Sequence, residues 1–204
     1  MRTMRNQRII LKHETKQANR IARNLLETKK AKLGWRALLL PSLLADYIRF
    51  RKRLIVIRKN LLFTKRLASN AAWEIFGGKN RVVEERLIEI KTKELLDKER
   101  KGLYVEKVRR KQLHEIELLI DHYLRLLNSN ETNHANMIRG SYQSKKKYLS
   151  FLNELQQIEK EVIQVSIMSV RKGSKKDRLS WFKKVQETSN KVRMEEVERI
   201  FPEG

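Results

Sequence analysis

Residues 41–78 read PSLLADYIRFRKRLIVIRKNLLFTKRLASNAAWEIFGG, and their periodicity decides the fold class. Leu43, Tyr47, Phe50, Leu54, Ile57, Leu61, Thr64, Ala68, Ala71 and Ile75 alternate steps of four and three, with only Thr64 polar. That spacing lines one face of a helix, so the stretch predicts a helix over 42–76. Pro41 falls near its first turn, where a missing N–H costs nothing, and Gly77-Gly78 supplies a stop. A second apolar row, Ile48, Ile55 and Leu62, runs one position later. Basic pairs recur beside it at Arg51/Lys52, Arg58/Lys59 and Lys65/Arg66, about 10 Å apart along the helix. Tyr47 to Trp73 contains no acid.

The apolar run just upstream, LGWRALLLPSLLADYI over 33–48, is flanked by Lys29, Lys30 and Lys32 before it and Arg49, Arg51, Lys52 and Arg53 after it. Lys and Arg beside membrane segments stay on the cytoplasmic side, so basic flanks at both ends place both ends on one side. The run is also shorter than the roughly 20 apolar residues a bilayer crossing needs. It contains Arg36 and Asp46 as well. Two readings remain: a segment that dips into the bilayer and returns, kinked at Pro41, or a buried core helix.

The rest of the chain repeats the helical pattern. Residues 4–32 predict a weakly amphipathic helix on Met4, Leu11, Ala18 and Leu25, with little apolar surface and a need for a partner to order it. Asn80 is a plausible N-cap for a stripe begun by Val83, Leu87 and Ile90. Leu113, Ile116, Ile120, Tyr123 and Leu127 form a clean seam. Residues 128–141, rich in Asn and Ser, read as a connection. Tyr148, Phe151, Leu155, Ile158, Val162 and Val165 form the next seam, and Ser174 caps a looser one on Leu179, Phe182, Val185, Val192 and Ile200. Seven Gly and two Pro leave few tight turns, and no short alternating runs suggest strands. The class is all-α: long amphipathic helices forming an antiparallel coiled-coil-like hairpin or elongated helical bundle, with a basic N-terminal third. The expected division is a basic helical region over 1–78 and a charge-mixed hairpin or bundle over 79–204.

Of 204 residues, 47 are Lys or Arg and 24 are Asp or Glu, a net charge of +23. The excess is concentrated at the front, where residues 1–66 contain only Glu14, Glu27 and Asp46 as acids. An anionic partner is therefore expected to meet the first third. The absence of Cys excludes disulfides and thiol chemistry. No signal-peptide pattern stands at the N-terminus, so cytoplasmic exposure at the inner face of a membrane is the expected location.

Candidate chemistry is sparse. His114, Glu117 and Asp121 share a helical face, but the chain has no Glu-x-x-His, and ordinary same-helix ion pairs on a solvated face account for them. Gly77-Gly78-Lys79 lacks phosphate-loop spacing and a preceding strand. No catalytic residue, cofactor or metal ligand is expected from the sequence. The leading expectation is a non-enzymatic peripheral membrane scaffold. Lys29, Lys30, Lys32, Arg49, Arg51, Lys52, Arg53, Arg58, Lys59, Lys65 and Arg66 would contact lipid phosphate, and Trp35, Leu38, Leu39, Leu40, Leu43, Leu44 and Tyr47 would insert. A nucleic-acid-binding basic helical protein is the alternative, since phosphodiester and phospholipid attract the same charges. A soluble coiled-coil adaptor engaging a protein through helices 80–201 is the third.

Overall fold

A computed structural model describes residues 2–27, 41–98, 105–169 and 174–202; for 2, 3, 27, 41–51, 53, 167–169 and 175 it describes the backbone alone. Every regular element among them is helical: α1 (Arg2–Glu27), α2 (Pro41–Phe76), α3 (Arg81–Lys98), α4 (Glu106–Leu127), α5 (His134–Tyr142), α6 (Lys145–Ser169) and α7 (Lys175–Ile200). Pro41 opens α2, and Gly77-Gly78 closes it as the glycines predict. Gly78 takes φ 97°, its N–H bonds Ile75 O, and Lys79 N–H bonds Glu74 O, each at 3.0 Å. This returning turn satisfies the last carbonyls of a helix and needs the left-handed backbone that glycine adopts freely. Asn80 caps α3 through Val82 N–H, and Ser174 caps α7 through Lys176 N–H.

Five helices close into a ring in the order α1, α2, α4, α6, α7 and back to α1. Cross-helix pairs set the directions. Asn6 reaches Ser129 and Glu14 reaches Tyr123, so α1 runs antiparallel to α4. Lys111 with Glu161 and His122 with Phe151 make α6 antiparallel to α4. Lys145 with Glu198 and Glu159 with Arg193 make α7 antiparallel to α6. Glu196 against Gln17, and Lys184 against Leu25 O, bring α7 back antiparallel to α1. α3 packs outside the ring on α2 and α4, and α5 lies across one end, touching α1, α4, α6 and α7.

The main apolar core draws Ile10 from α1, Leu67, Ala68 and Ala71 from α2, Ile116, Ile120 and Tyr123 from α4, Phe151 and Leu155 from α6, and Val197 and Ile200 from α7. Residues on both sides of position 79 therefore fill one core. The seams of α4 and α6 face inward at Ile116, Ile120, Tyr123, Leu127, Tyr148, Phe151, Leu155 and Ile158. On α2 the seam is buried from Thr64 through Ala71.

Three expectations fail. α1 is ordered within the chain: its inner row is Ile10, Glu14, Ala18, Ile21, Ala22 and Leu25, while Met4 is exposed. Of the expected heptad, Ala18 and Leu25 do face inward, but Met4 does not, and the polar Glu14 and Gln17 lie on the inner face instead, bonded to α2, α4 and α7. On α3 the stripe of Val83, Leu87 and Ile90 faces outward, and the row of the polar Glu84 and Thr92 with the apolar Ile88 between them is buried. Thr92 returns its hydroxyl to Ile88 O at 2.9 Å and takes Arg109 of α4 at 3.3 Å, which makes that row the better inner face. The segment 128–141 contains α5, capped by Asn133 accepting from Asn136 N–H and ended by Gln143 at φ 63°. Its Met137 and Ile138 are fully buried.

Candidate functional site

The outward surface of α1 is basic. Arg5, Arg8, Lys12, Lys16 and Arg23 are exposed, while Glu14 faces the interior. On α2, Lys52, Lys59 and Arg66 are exposed and Arg58 is half-buried. Between Lys52 and Lys59 lie Ile55, 38% exposed, and Val56, 56% exposed. Steps of three and four put these four residues on one strip of the helix, apolar side chains bracketed by ammonium groups. Lys65 behaves differently. It turns inward onto Glu14, leaving its side chain 14% exposed, and so leaves the basic surface.

Arg49, Arg51, Arg53, Leu43, Leu44 and Tyr47 fall on the backbone of α2, and their side chains lie outside the described residues. Lys29, Lys30, Lys32, Trp35, Leu38, Leu39 and Leu40 also lie outside the described residues. Among the described residues no helix is long and apolar enough to cross a membrane. The face proposed from the sequence thus retains Lys52, Arg58, Lys59 and Arg66 as described members.

Inside the ring lies a polar network that the sequence did not suggest. Glu14 accepts from Lys65 of α2 and, at 3.0 Å, from the Tyr123 hydroxyl of α4. Burial pushes the Glu14 carboxyl up, but the Lys65 ammonium and His13 outweigh it and bring its pKa down to about 2. The neighbouring carboxyl, Glu115, accepts from Thr64 at 2.7 Å. Burial and the nearby Glu159 charge lift it to about 7, against the opposing pull of Thr64, Lys65 and Arg193. Arg193 in turn forks onto Glu159 from α7, with Nη1 donating at 2.8 Å. His122 of α4, 2.7 Å from the Tyr142 hydroxyl and stacked on Phe151 at 4.2 Å, is held neutral by burial, its pKa down to about 3.

The network ends in a histidine pair. His13 of α1 and His134, the first residue of α5, stack face to face with ring centroids 3.5 Å apart and planes 11° from parallel. Glu196 of α7 meets both: its Oε1 lies 2.5 Å from His13 Nε2 and 3.6 Å from His134 Nδ1. Gln17, one turn after His13, donates to the other oxygen of Glu196. His13 Nδ1 and Gln17 Oε1 are buried with no hydrogen-bond partner. Beside these residues opens a cleft of about 620 Å³, bordered also by Lys16, Arg20, Asn133 and Arg199. His134 titrates low, at about 4, because burial and His13 outweigh Glu196.

No spacing rule could have found this trio, because its members come from three helices far apart in the sequence. The same-helix trio that spacing did suggest borders a shallow cleft on α4. His114 and Glu117 are exposed, and Asp121 pairs with Arg81 at 2.5 Å. No protein-family model matches the chain, and no curated protein or solved structure matches it either.

Proposed function

We propose that the protein is a non-enzymatic helical scaffold held peripherally on an anionic membrane surface at the cytoplasmic face. Residues 34–48 supply a shallow apolar insertion, and the basic face of α2 contacts lipid phosphate. The observation that carries this reading is the exposed strip Lys52–Ile55–Val56–Lys59, in a stretch of α2 without acids. Interfacial helices pair apolar residues that enter the headgroup boundary with cations that stay among phosphates. Nucleic acid would reward the lysines but gain nothing from Ile55 and Val56, which lack the stacking faces used on bases. The remaining helices, which share one core with α2, would present the scaffold to a protein partner.

Sedimentation with phosphatidylcholine vesicles, with and without phosphatidylserine, tests the reading. The full chain should pellet only with the anionic vesicles. Each lysine near such a surface is worth about 1 kcal/mol, so Lys52→Gln with Lys59→Gln should weaken binding roughly 30-fold. Ile55→Glu with Val56→Glu should weaken it while leaving helical content unchanged, and Leu39→Glu with Leu43→Glu should do the same for the insertion. Failure to pellet rejects the proposal. Binding that ignores all the apolar substitutions and is matched by duplex DNA assigns the basic face to nucleic acid instead.

A further inference from the structure

We infer that His13, His134 and Glu196 form a binding site for one divalent transition-metal ion of the zinc class. Three potential donors, two imidazole nitrogens and a carboxylate oxygen, lie within 4.8 Å of one another at the junction of α1, α5 and α7. Around a tetrahedral zinc ion, with bonds of about 2.0–2.2 Å, neighbouring donors stand roughly 3.3–3.6 Å apart. His134 Nδ1 and Glu196 Oε1 already have that separation, at 3.6 Å. His13 Nε2 and Glu196 Oε1 stand 2.5 Å apart, and the ion comes between them, any proton on that nitrogen leaving to solvent. That pair opens by about 1 Å, and the two stacked rings tilt apart so that both lone pairs aim at one point. These are side-chain rotations that leave the three helix backbones in place.

The surroundings support a cation here. Gln17 donates to Glu196 Oε2, fixing the carboxylate as outer partners fix metal ligands, and its own Oε1 has no other engagement. Two of the nearby cations are matched, Lys65 by Glu14 and Arg20 by Glu195, while Lys16 and Arg199 also border the cleft. The adjoining cleft supplies an entry path and room for a water in the fourth position. Two nitrogen donors favour zinc, cobalt, nickel or copper over magnesium or calcium, which prefer oxygen alone. An ion bound here ties α1, α5 and α7 together at one end of the ring.

Titration of the full chain with Zn²⁺ by calorimetry, and with Co²⁺ by visible absorption, tests the site. The expected result is one ion per chain. His13→Asn with His134→Asn should weaken binding by more than about 100-fold, since losing only an outer partner of a metal ligand costs about 10–100-fold. His114→Asn, on the exposed face of α4, should leave binding unchanged. Should the double variant misfold, imidazole ¹H–¹⁵N spectra of the native chain decide: Zn²⁺ must shift His13 and His134 and leave His114 in place. An absence of saturable binding, retention of affinity in a folded double variant, or shifts confined to His114 would each overturn the site.

Discussion

Lys65→Met is the most searching substitution the fold offers. Lys65 and Glu14 meet in the interior with side chains 14% and 10% exposed, and the Tyr123 hydroxyl completes the carboxylate's shell. Relative to an ordinary 4.5, a carboxyl held at about 2 prefers its ionised form in the fold by about 3 kcal/mol. Because the folded pKa is depressed, that contribution is present above about 4.5 and fades as pH falls through about 2. Methionine keeps the volume but strands the carboxylate. Removing one partner of a buried pair costs about 3–5 kcal/mol, or a fall in Tm of roughly 6–20 °C for a chain of this length. Glu14→Gln together with Lys65→Met removes both charges, leaves an acceptor for Tyr123 and should recover most of the loss. Urea denaturation followed by circular dichroism near neutral pH, across the four members of the cycle, gives the coupling directly. If Lys65→Met changes stability by less than about 0.5 kcal/mol, the lysine is in solvent and the interior network is wrong. A double variant no better than the single would show that the loss comes from packing.

Glu115 gives the opposite pH signature. Burial and the nearby Glu159 charge raise its folded pKa, so its contribution is complete below about 4.5 and is lost as pH rises through about 7. Glu115→Gln keeps an acceptor for Thr64 and should flatten stability between those values; a slope unchanged in urea titrations at a series of pH values would remove Glu115 as its source. Met137→Ala should cost about 2–5 kcal/mol in the same assay, because Met137 is fully buried on the inner face of α5, whereas a surface connection would register within about 0.5 kcal/mol. Gly78→Ala should cost about 1–2 kcal/mol through its φ of 97° alone, since nothing lies within 4 Å of an added Cβ; an unchanged midpoint would mean the turn relaxes.

What the sequence disclosed and what it withheld divide along a physical line. α4 and α6 were legible because their seam positions are apolar, from Ile116 to Leu127 and from Tyr148 to Ile158, although Glu115 and His122 of α4 are buried beside them. The ends of α2 were legible because Pro41 and Gly78 act through their own backbones. α1 was partly misread because Glu14 and Gln17 point inward, and periodicity counts a buried polar residue as solvent-facing. The same blindness reversed α3, where Thr92 and Glu84 are inside and Val83 and Leu87 are out. α5 disappeared into an Asn-rich stretch whose Asn133 is its cap. The basic strip could be anticipated from composition, but the inward turn of Lys65 depends on Glu14, 51 residues away. The histidine pair depends on a ring closure that no local window contains.

That closure also shapes how the chain reaches its native state. α1 seats against α7 through contacts as distant as Gln17 and Glu196, 179 positions apart. On the ribosome α1 emerges well before α7, so the groove meant for the last helix stays uncovered through most of translation. Long-range pairings of this kind slow the search for the native arrangement and prolong the exposure of greasy, aggregation-prone intermediates. The final helix acts as a latch, and molecular chaperones have their longest opportunity to engage the nascent protein before it shuts.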